Sequence, residues 1–193
     1  RLVRYLKKGV ASWYGPGFHG RKTATGEIFN MYEMTAAHKT LPIPSYAEVT
    51  NLENNKTVVV KINDRGPYVG NRLLDLSYAA AKKLGIQSEG TGKVTVKAIS
   101  PLQALPHIQK VAESQHKKVY LQLGSFGSQK KALSLHRKIA SNHLPSATII
   151  AAKSKKSTSY KVQLGPIQSP ENAVQLSAQL ARIGIKNPEF VAD

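Results

Sequence analysis

Short apolar runs with alternating or β-branched character divide the first half of the chain into predicted β-strands. These strands cover residues 9–14, 47–51, 57–63 and 93–99, with a shorter strand or turn over residues 34–38. One short helix is predicted over residues 78–84, with Ser77 as its N-cap and Gly85 directly after its end. Many short strands with a single helix are typical of a small closed β-barrel.

The second half of the chain contains an internal repeat at a spacing of forty residues. The run YLQLGSF that begins at Tyr120 aligns with YKVQLGPI at Tyr160, and a helical pattern follows each strand. Pro170 marks the start of the second helix and Gly184 its end. Further strands are predicted over residues 147–152 and 187–191. The order βαββαβ predicts an α+β domain with a four-stranded antiparallel sheet.

The segment between the two patterns, residues 101–118, follows neither of them. Pro101, Pro106 and a mixed polarity without a clear period predict an interdomain linker, with a short helix as the alternative. The sequence therefore predicts two domains, a barrel over residues 1–100 and an α+β domain over residues 119–193.

The composition is that of a basic globular protein without cysteine. Apolar residues make up 41% of the 193 residues, which is enough for a core. Lysine and arginine number 28 against 11 aspartates and glutamates, and the net charge of +17 is spread along the chain. Such a charge indicates a polyanionic partner: nucleic acid, anionic lipid or an acidic polysaccharide. The absence of cysteine excludes disulfides, a thiolate nucleophile and a cysteine-based zinc site.

Two aspartates lie near strand ends in the middle of the first predicted domain. Asp64 follows the β-branched run of residues 58–62 within the turn sequence Asp-Arg-Gly-Pro, and Asp75 follows a second apolar run. Upstream, the glycine-rich loop of residues 15–26 ends at Glu27. Loops of this kind often surround sites, because glycine lets a backbone approach a ligand closely. The spacing of the two aspartates by itself favours turn and cap roles over catalysis.

Six sequence blocks follow one another in the first domain: GVASWYG (9–15), FHGR (18–21), TATGE (23–27), AAHKTLP (36–42), NDRGP (63–67) and LDLS (74–77). Together they resemble the double-psi β-barrel domain of the rare lipoprotein A family of lytic transglycosylases, and this resemblance favours catalytic roles for the aspartates. Residues 119–193 resemble the sporulation-related repeat (SPOR) domain. The resemblance implies a mainly-β, six-stranded double-psi β-barrel, followed by an α+β SPOR domain that binds glycan strands stripped of stem peptides.

The resemblance also implies an activity, endolytic cleavage of the β-1,4 bond between N-acetylmuramic acid and N-acetylglucosamine in peptide-free (denuded) peptidoglycan strands. The muramic 6-hydroxyl attacks the anomeric carbon and leaves a 1,6-anhydro ring. Because the nucleophile belongs to the substrate, one carboxyl group can serve first as acid and then as base. Such an acid should be partly desolvated or lie next to another carboxylate, so that it keeps its proton near neutral pH.

Four titratable residues fall on the active-site blocks of the resembling family. Asp64 is the first choice for the acid/base, Glu27 is a close alternative and Asp75 is the next candidate. His38 is expected to orient a carboxylate or to contact the substrate, with a structural histidine as the alternative. A metal site built from His19, His38 and a carboxylate has no recognisable ligand spacing, so neither a metal nor a cofactor is expected.

Substrate contacts are predicted in both domains. In the first domain they are Trp13, Tyr14, His19, Arg65 and Tyr68. In the second domain they are Gln122, Ser125, Phe126 and, from the repeat, Gln163. The aromatic residues of the first domain, including Phe18, either stack on sugar rings or belong to the core. Strand alternation places Gln122 and Gly124 on a polar outer face of the second domain's sheet. The lactyl carboxylates of peptide-free glycan would explain the basic surface.

Two other classes of function compete with this interpretation. A non-catalytic wall-binding protein of the expansin kind would share the barrel, but the pair of Glu27 and Asp64 favours the enzyme. A nucleic-acid binder would fit the +17 charge and the four-stranded βαββαβ sheet. Tyr120 and Phe126 supply only a fragment of the aromatic pattern of RNA-binding sheets, so nucleic acid is not expected as a partner.

The resemblance further implies a location on the periplasmic side of the outer membrane, with enrichment at the division septum. Any signal peptide or lipid-bearing cysteine is expected upstream of Arg1. No stretch of the sequence approaches the roughly 20 apolar residues that a transmembrane helix needs. The sequence sets no oligomeric state.

Overall fold

The computed structural model describes residues 4–186 and 188–193, and the chain divides into two compact units between Ser100 and Pro101. The elements of the first unit are β1 (Leu6–Trp13), a single 3₁₀ turn (Pro16–Phe18), β2 (Thr35–His38), β3 (Ser45–Asn51), β4 (Thr57–Asp64), β5 (Leu74–Leu76), α1 (Tyr78–Leu84) and β6 (Thr91–Ile99). Its strands close into a six-stranded barrel in the order β1-β5-β2-β4-β3-β6. β1 pairs with β5, and β2 with β4, in parallel. The predicted double-psi barrel is confirmed.

Alternation along the strands decides which side chains fill the barrel. Val58, Val60 and Ile62 of β4 are buried, as are Leu74 and Leu76 of β5. Because successive strand residues point to opposite faces, Asp75 between the two leucines points outward. Asp75 therefore lies at the centre of a strand and not on the turn that its sequence context suggests.

The helix after β5 begins and ends as the sequence predicts. The Ser77 hydroxyl accepts the backbone N–H of Ala80 at 3.2 Å and donates to the carbonyl oxygen of Glu33 at 2.6 Å. Gly85 ends the helix in the left-handed region, with a φ of 80° that favours glycine. The buried cap anchors α1 against the barrel, close to the strand that carries Asp75.

The second unit is a four-stranded antiparallel sheet with three helices. Its elements are α2 (Pro101–Ser114), β7 (Val119–Phe126), α3 (Gln129–Ser141), β8 (Thr148–Lys153), β9 (Thr158–Leu164), α4 (Pro170–Arg182) and β10 (Glu189–Ala192). The strand order is β10-β7-β9-β8, which confirms the predicted βαββαβ arrangement. Buried Leu121 and Leu164 of the sheet share one apolar core with Ile139 of α3 and Leu180 of α4. Asn187, the predicted first residue of the last strand, lies outside the described residues.

The predicted linker is largely helical. α2 occupies residues 101–114 and packs with the second unit, where Leu105 and Ala112 are buried in its core and Ile108 packs against it. These three residues have the spacing i, i+3, i+7 of one helix face. Pro101 is tolerated at the start of a helix, whereas Pro106 lies inside and weakens the sequence signal. No helix among the residues that the structure describes is long and apolar enough to cross a membrane.

Candidate active site

A register shift between Ala36 and Ala37 of β2 lets Asp64 pair with Ala37 in place of Asn63, so two of the candidate carboxylates lie on one row on the outward side of the strands. Ala37 of β2 is the register partner of Asp64 on one side and of Asp75 on the other. Ser12 of β1 is in turn the partner of Asp75. The backbones of neighbouring strands lie about 4.8 Å apart, so the Cα atoms of the two aspartates are separated by about 10 Å along the row. The row therefore runs from Ser12 through Asp75 and Ala37 to Asp64.

Three hydrogen bonds hold the Asp64 carboxyl group in place. Its Oδ1 accepts the backbone N–H groups of Ala24, at 3.0 Å, and Arg65, at 2.8 Å. Its Oδ2 accepts the phenol of Tyr14 at 3.0 Å. The two backbone donors come from the glycine-rich loop and from the turn after β4, so Asp64 joins both segments. A carboxyl group fixed in this way has the preorganisation that acid–base catalysis requires.

Tyr14 is the side chain that connects Asp64 with its apolar surroundings. Its ring packs against Phe18 and Phe29, with ring centroids 5.4 Å and 4.8 Å away. Burial raises the pKa of Tyr14 well above its ordinary value, and the neighbouring carboxylates of Asp64 and Asp75 raise it further. The phenol therefore keeps its proton and acts as a donor to Asp64. Tyr14, predicted as a sugar contact, is placed by the structure as a support for the candidate acid.

Glu27 lies at the end of the same loop and is held by different partners. Its Oε2 forms a salt bridge of 3.0 Å with Lys61 Nζ, and its Oε1 accepts the Thr25 hydroxyl at 3.1 Å. The Glu27 side chain is 38% exposed, so part of it faces solvent. Ala24 binds Asp64 and Thr25 binds Glu27, so two consecutive loop residues link the two carboxylates.

Asp75 is held from the neighbouring strand. The Ser12 hydroxyl donates a short hydrogen bond to Asp75 Oδ1, and the Arg72 guanidinium lies 3.9 Å from the same oxygen. Asp75 is close enough to contribute to the raised pKa of the Tyr14 phenol. The structure thus places Asp75 on the same surface as Asp64, as a second carboxylate with its own supporting donors.

His38 is buried and saturated by partners other than the three carboxylates. Its Nδ1 accepts the backbone N–H groups of Thr40 at 3.1 Å and Leu41 at 3.0 Å. Nε2 must then carry the proton, and it donates to the Tyr5 hydroxyl at 2.7 Å. Burial lowers the pKa of His38 to about 4, and the positive charge of Arg65 contributes. None of these contacts is with Glu27, Asp64 or Asp75, so His38 orients no candidate carboxylate in this structure, and its role as a substrate contact stays a prediction.

The low pKa of His38 predicts that acid destabilises the fold. With a pKa of about 4 when folded and about 6.5 when unfolded, His38 takes up a proton mainly in the unfolded chain between these values. The free energy of unfolding should therefore fall as the pH drops from 6.5 to 4, by on the order of 3 kcal/mol from this residue. Urea unfolding of wild type and His38→Asn across this range measures the effect.

Asparagine at position 38 can still accept the two backbone N–H groups, but it does not ionise. The stability advantage of wild type over His38→Asn should therefore shrink as the pH falls. Parallel curves for the two proteins would show that His38 titrates alike in both states and would refute the assignment.

Other predicted contacts of the first unit divide into anchored and exposed side chains. Trp13 donates its indole N–H to the carbonyl oxygen of Gln87 at 3.2 Å and packs against the barrel core. Arg65 donates from one guanidinium nitrogen to the carbonyl oxygens of His38 and Leu41, at 3.2 Å and 2.6 Å. Tyr68, by contrast, is 79% exposed, and its role as a sugar contact stays a prediction.

His19 is the fifth predicted contact of this unit. Its Nδ1 accepts the backbone N–H of Met31 at 3.2 Å, and its ring meets the exposed Tyr32 ring edge-on at 5.9 Å. Both contacts connect His19 with the loop before β2. Within residues 4–186 and 188–193, no group of three or more His, Cys, Asp or Glu side chains is arranged to hold a metal ion.

In the second unit, the predicted glycan contacts follow β7 and β9. Gln122 and Gln163 are register partners, and the buried Gln163 donates to Gln122 at 3.2 Å and to Asp193 at 3.1 Å. The register shifts between Gln122 and Gly124, so the predicted simple alternation is interrupted at Leu123. Gln163 therefore holds the Gln122 side chain from the neighbouring strand, β9.

The end of β7 carries the other two predicted contacts. Ser125 is exposed, whereas the Phe126 ring packs partly against the core. That ring also covers Gly124, where an added Cβ would lie 2.8 Å from the ring. Glycine at position 124 is thus what lets the Phe126 ring lie along the strand.

The site contains supporting residues that sequence reasoning did not identify: Tyr5, Ser12, Thr25 and Lys61. Ser12 precedes Tyr14 by two positions, and a period of two on a strand would have placed both on one face. Lys61 had no comparable local signal, because 34 positions separate it from Glu27.

Comparison with known proteins gives concordant results for both units. A family model described as lytic transglycolase matches residues 6–96, and the SPOR domain model matches residues 115–192. The "Endolytic peptidoglycan transglycosylase RlpA" of Neisseria meningitidis serogroup A is 44% identical over 180 residues, covering 93% of this chain and 73% of that protein. The protein of the same name from Pseudomonas aeruginosa is 42% identical and covers 93% of this chain and 56% of its own length.

Among solved structures, the apo-expansin of Clavibacter michiganensis aligns with 86% of this chain and 81% of its own, at 16% identity and a TM-score of 0.43. The two sequence relatives, and not this structural likeness, decide the family.

Proposed function

The chain belongs to the RlpA family of endolytic peptidoglycan transglycosylases, and from that premise we propose that it cuts peptide-free glycan strands. The bond cut is the β-1,4 linkage between N-acetylmuramic acid and N-acetylglucosamine, and the product carries a 1,6-anhydro-muramic end. The observation that supports this best is the Asp64 carboxyl group, held by Tyr14, Ala24 and Arg65 on the outer face of the barrel.

Asp64 is the acid and then the base of the proposed reaction. In its protonated form it gives a proton to the glycosidic oxygen, which leaves as the 4-hydroxyl of N-acetylglucosamine. The muramic 6-hydroxyl bonds to the anomeric carbon, and its proton returns to Asp64. No water is consumed, and the enzyme ends in the protonation state in which it began.

Glu27 and Asp75 stabilise charge around that exchange. As the glycosidic bond breaks, positive charge develops on the sugar ring, and a nearby carboxylate lowers the energy of this state. Glu27, anchored by Lys61 and part-exposed, is the first choice for this role. Asp75, about two strand spacings from Asp64, is the second.

The second unit brings the enzyme to its substrate. A SPOR domain and the RlpA relatives indicate a protein of the periplasmic cell wall that binds peptidoglycan at the division septum. We assign strand binding to the face that carries Gln122 and Ser125, with peptide-free strands as its ligand. Attachment to the outer membrane through a lipid belongs to this proposal as well.

Residues 101–193, expressed alone, should bind peptide-free glycan, and residues 1–100 alone should retain cutting. The Gln122→Ala substitution in the second unit should weaken binding, because Gln122 is the part-exposed amide that Gln163 holds in place. Raising the salt concentration should weaken binding less than this substitution, since screening acts over about 8 Å on charges but spares polar contacts. Co-sedimentation with peptide-free and peptide-bearing sacculi measures both effects.

Gln179→Ala on the exposed face of α4 is the matched control and should bind as wild type does. Equal binding of the second unit to both kinds of sacculi would argue against recognition of peptide-free strands. If Gln122→Ala and Gln179→Ala weakened binding equally, the face that carries Gln122 and Ser125 would not be the binding site. The cutting activity itself is tested separately, by the products that the full chain releases from peptide-free strands.

A further inference from the structure

An exposed arginine lies on an exposed aromatic ring in the loop that holds the candidate acid. The Arg21 guanidinium carbon is 5.7 Å from the centroid of the Phe18 ring, and Phe18 is 48% exposed. Arg21 itself is exposed. In the part of the chain that the structure describes, no acidic side chain forms a salt bridge with Arg21. The pair therefore offers solvent part of an aromatic ring beside a positive charge that has no carboxylate partner among the described residues.

A short chain of contacts connects this pair with Asp64. Phe18 packs against the Tyr14 ring at 5.4 Å, and the Tyr14 phenol donates to Asp64 at 3.0 Å. The backbone of Arg21 is fixed on both sides, because its N–H donates to Phe18 and its carbonyl accepts from Phe29. Phe18 and Arg21 are thus connected with the candidate acid through the Tyr14 ring.

The other arginines around the site are already engaged. Arg65 donates to the carbonyl oxygens of His38 and Leu41, and Arg72 lies 3.9 Å from Asp75. Arg21 differs from both in that it is exposed to solvent and contacts only the Phe18 ring among the side-chain contacts of the described residues. It is available to an anionic group of a bound ligand.

A ring face next to a guanidinium fits a sugar that carries a carboxylate. N-acetylmuramic acid is such a sugar, since its lactyl group ends in a free carboxylate when the stem peptide has been removed. In peptide-bearing strands the same carbon is an amide and carries no charge. A guanidinium binds a carboxylate through charge-assisted hydrogen bonds that an amide cannot replace.

We propose that Phe18 and Arg21 form a muramic acid subsite, in which Arg21 binds the free lactyl carboxylate and thereby selects peptide-free strands for cutting. This inference rests on the proposed function, because it concerns the same reaction and substrate. It assigns part of the preference for peptide-free glycan to the barrel, in addition to any binding by the second unit.

The test uses the full chain and two substrates that differ only in charge. One is peptide-free glycan, and the other is the same glycan with its lactyl carboxylates converted to methylamides. Wild type should cut the free-carboxylate strands with a kcat/KM about tenfold higher, the scale of one charge-assisted hydrogen bond. Arg21→Gln should lose most of that preference, because its kcat/KM should fall on the free-carboxylate strands and stay unchanged on the methylamide strands. Arg21→Lys should retain part of it.

Lys22→Gln is the matched control, because it removes an equal charge from the next exposed position, and the ring contact with Phe18 is made by Arg21. It should keep the wild-type preference. If wild type cuts but Arg21→Gln keeps the full preference, or if Lys22→Gln loses it equally, the subsite is refuted. If wild type releases nothing from either substrate, the proposed function fails instead. Thermal unfolding of each variant confirms that the fold is intact.

Discussion

Asp64→Asn is expected to lower turnover on peptide-free glycan by about 10²- to 10⁴-fold, the usual contribution of a general acid–base group. The amide cannot deliver a proton to the glycosidic oxygen or take one from the muramic 6-hydroxyl. The fold should persist, because the amide oxygen still accepts the backbone N–H groups of Ala24 and Arg65. The measurement is the initial rate of soluble product release at saturating substrate, with thermal unfolding as the check on the fold.

Glu53→Gln is a matched control for the loss of one negative charge. Glu53 is exposed in the turn between β3 and β4, so this variant should cut at the wild-type rate. An Asp64→Asn protein with a near wild-type rate would remove Asp64 from the mechanism. Asp75, on the same row and held by Ser12, would then be the next acid to test.

Glu27→Gln is expected to produce a loss of similar size, about 10²- to 10⁴-fold. The glutamine can keep the contacts of Glu27 with Thr25 and Lys61, but it removes the negative charge that stabilises the sugar ring during bond cleavage. The loss should appear in kcat more than in KM, because the charge acts on the transition state. Steady-state kinetics on peptide-free strands separates the two constants.

Lys61→Gln distinguishes a direct role of Glu27 from a purely structural salt bridge. If Glu27 acts on the substrate, its charge survives the loss of Lys61, and Lys61→Gln should cost less activity than Glu27→Gln. Equal losses in the two variants, with equal losses of stability, would mean that the pair only holds the loop of residues 15–26 in place.

Most strands and helices could be predicted from the sequence because they depend on local patterns, whereas the double-psi topology is implied by the resemblance of the six sequence blocks. The alternation in β4, the cap at Ser77 and the glycine at position 85 each act within a few residues. For residues 101–118 the sequence favours a linker and offers a short helix only as the alternative, because Pro106 and a weak period conceal the three apolar positions of α2 that pack on the second unit.

The candidate site could be predicted only in part, because its geometry depends on register between distant strands. The sequence identifies Asp64, Asp75 and Glu27 but not that Ala37 brings the two aspartates into one row. Nothing in the sequence around His38 indicates its hydrogen bond to Tyr5, which lies 33 positions away. Gln163, predicted as a contact, is buried beside Gln122 on the same face of the sheet, where its amide donates to Gln122 and Asp193, and neither bond has a local sequence signal.

The most direct test of the central claim is mass spectrometry of the soluble fragments that the full chain releases from peptide-free glycan strands. Transfer to the muramic 6-hydroxyl predicts fragments that end in 1,6-anhydro-N-acetylmuramic acid, each lighter by one water than the hydrolysis product. Asp64→Asn, assayed in parallel, should release almost none. Fragments with reducing ends would show hydrolysis, and a wild-type protein that binds the strands but releases no fragment would contradict catalysis altogether.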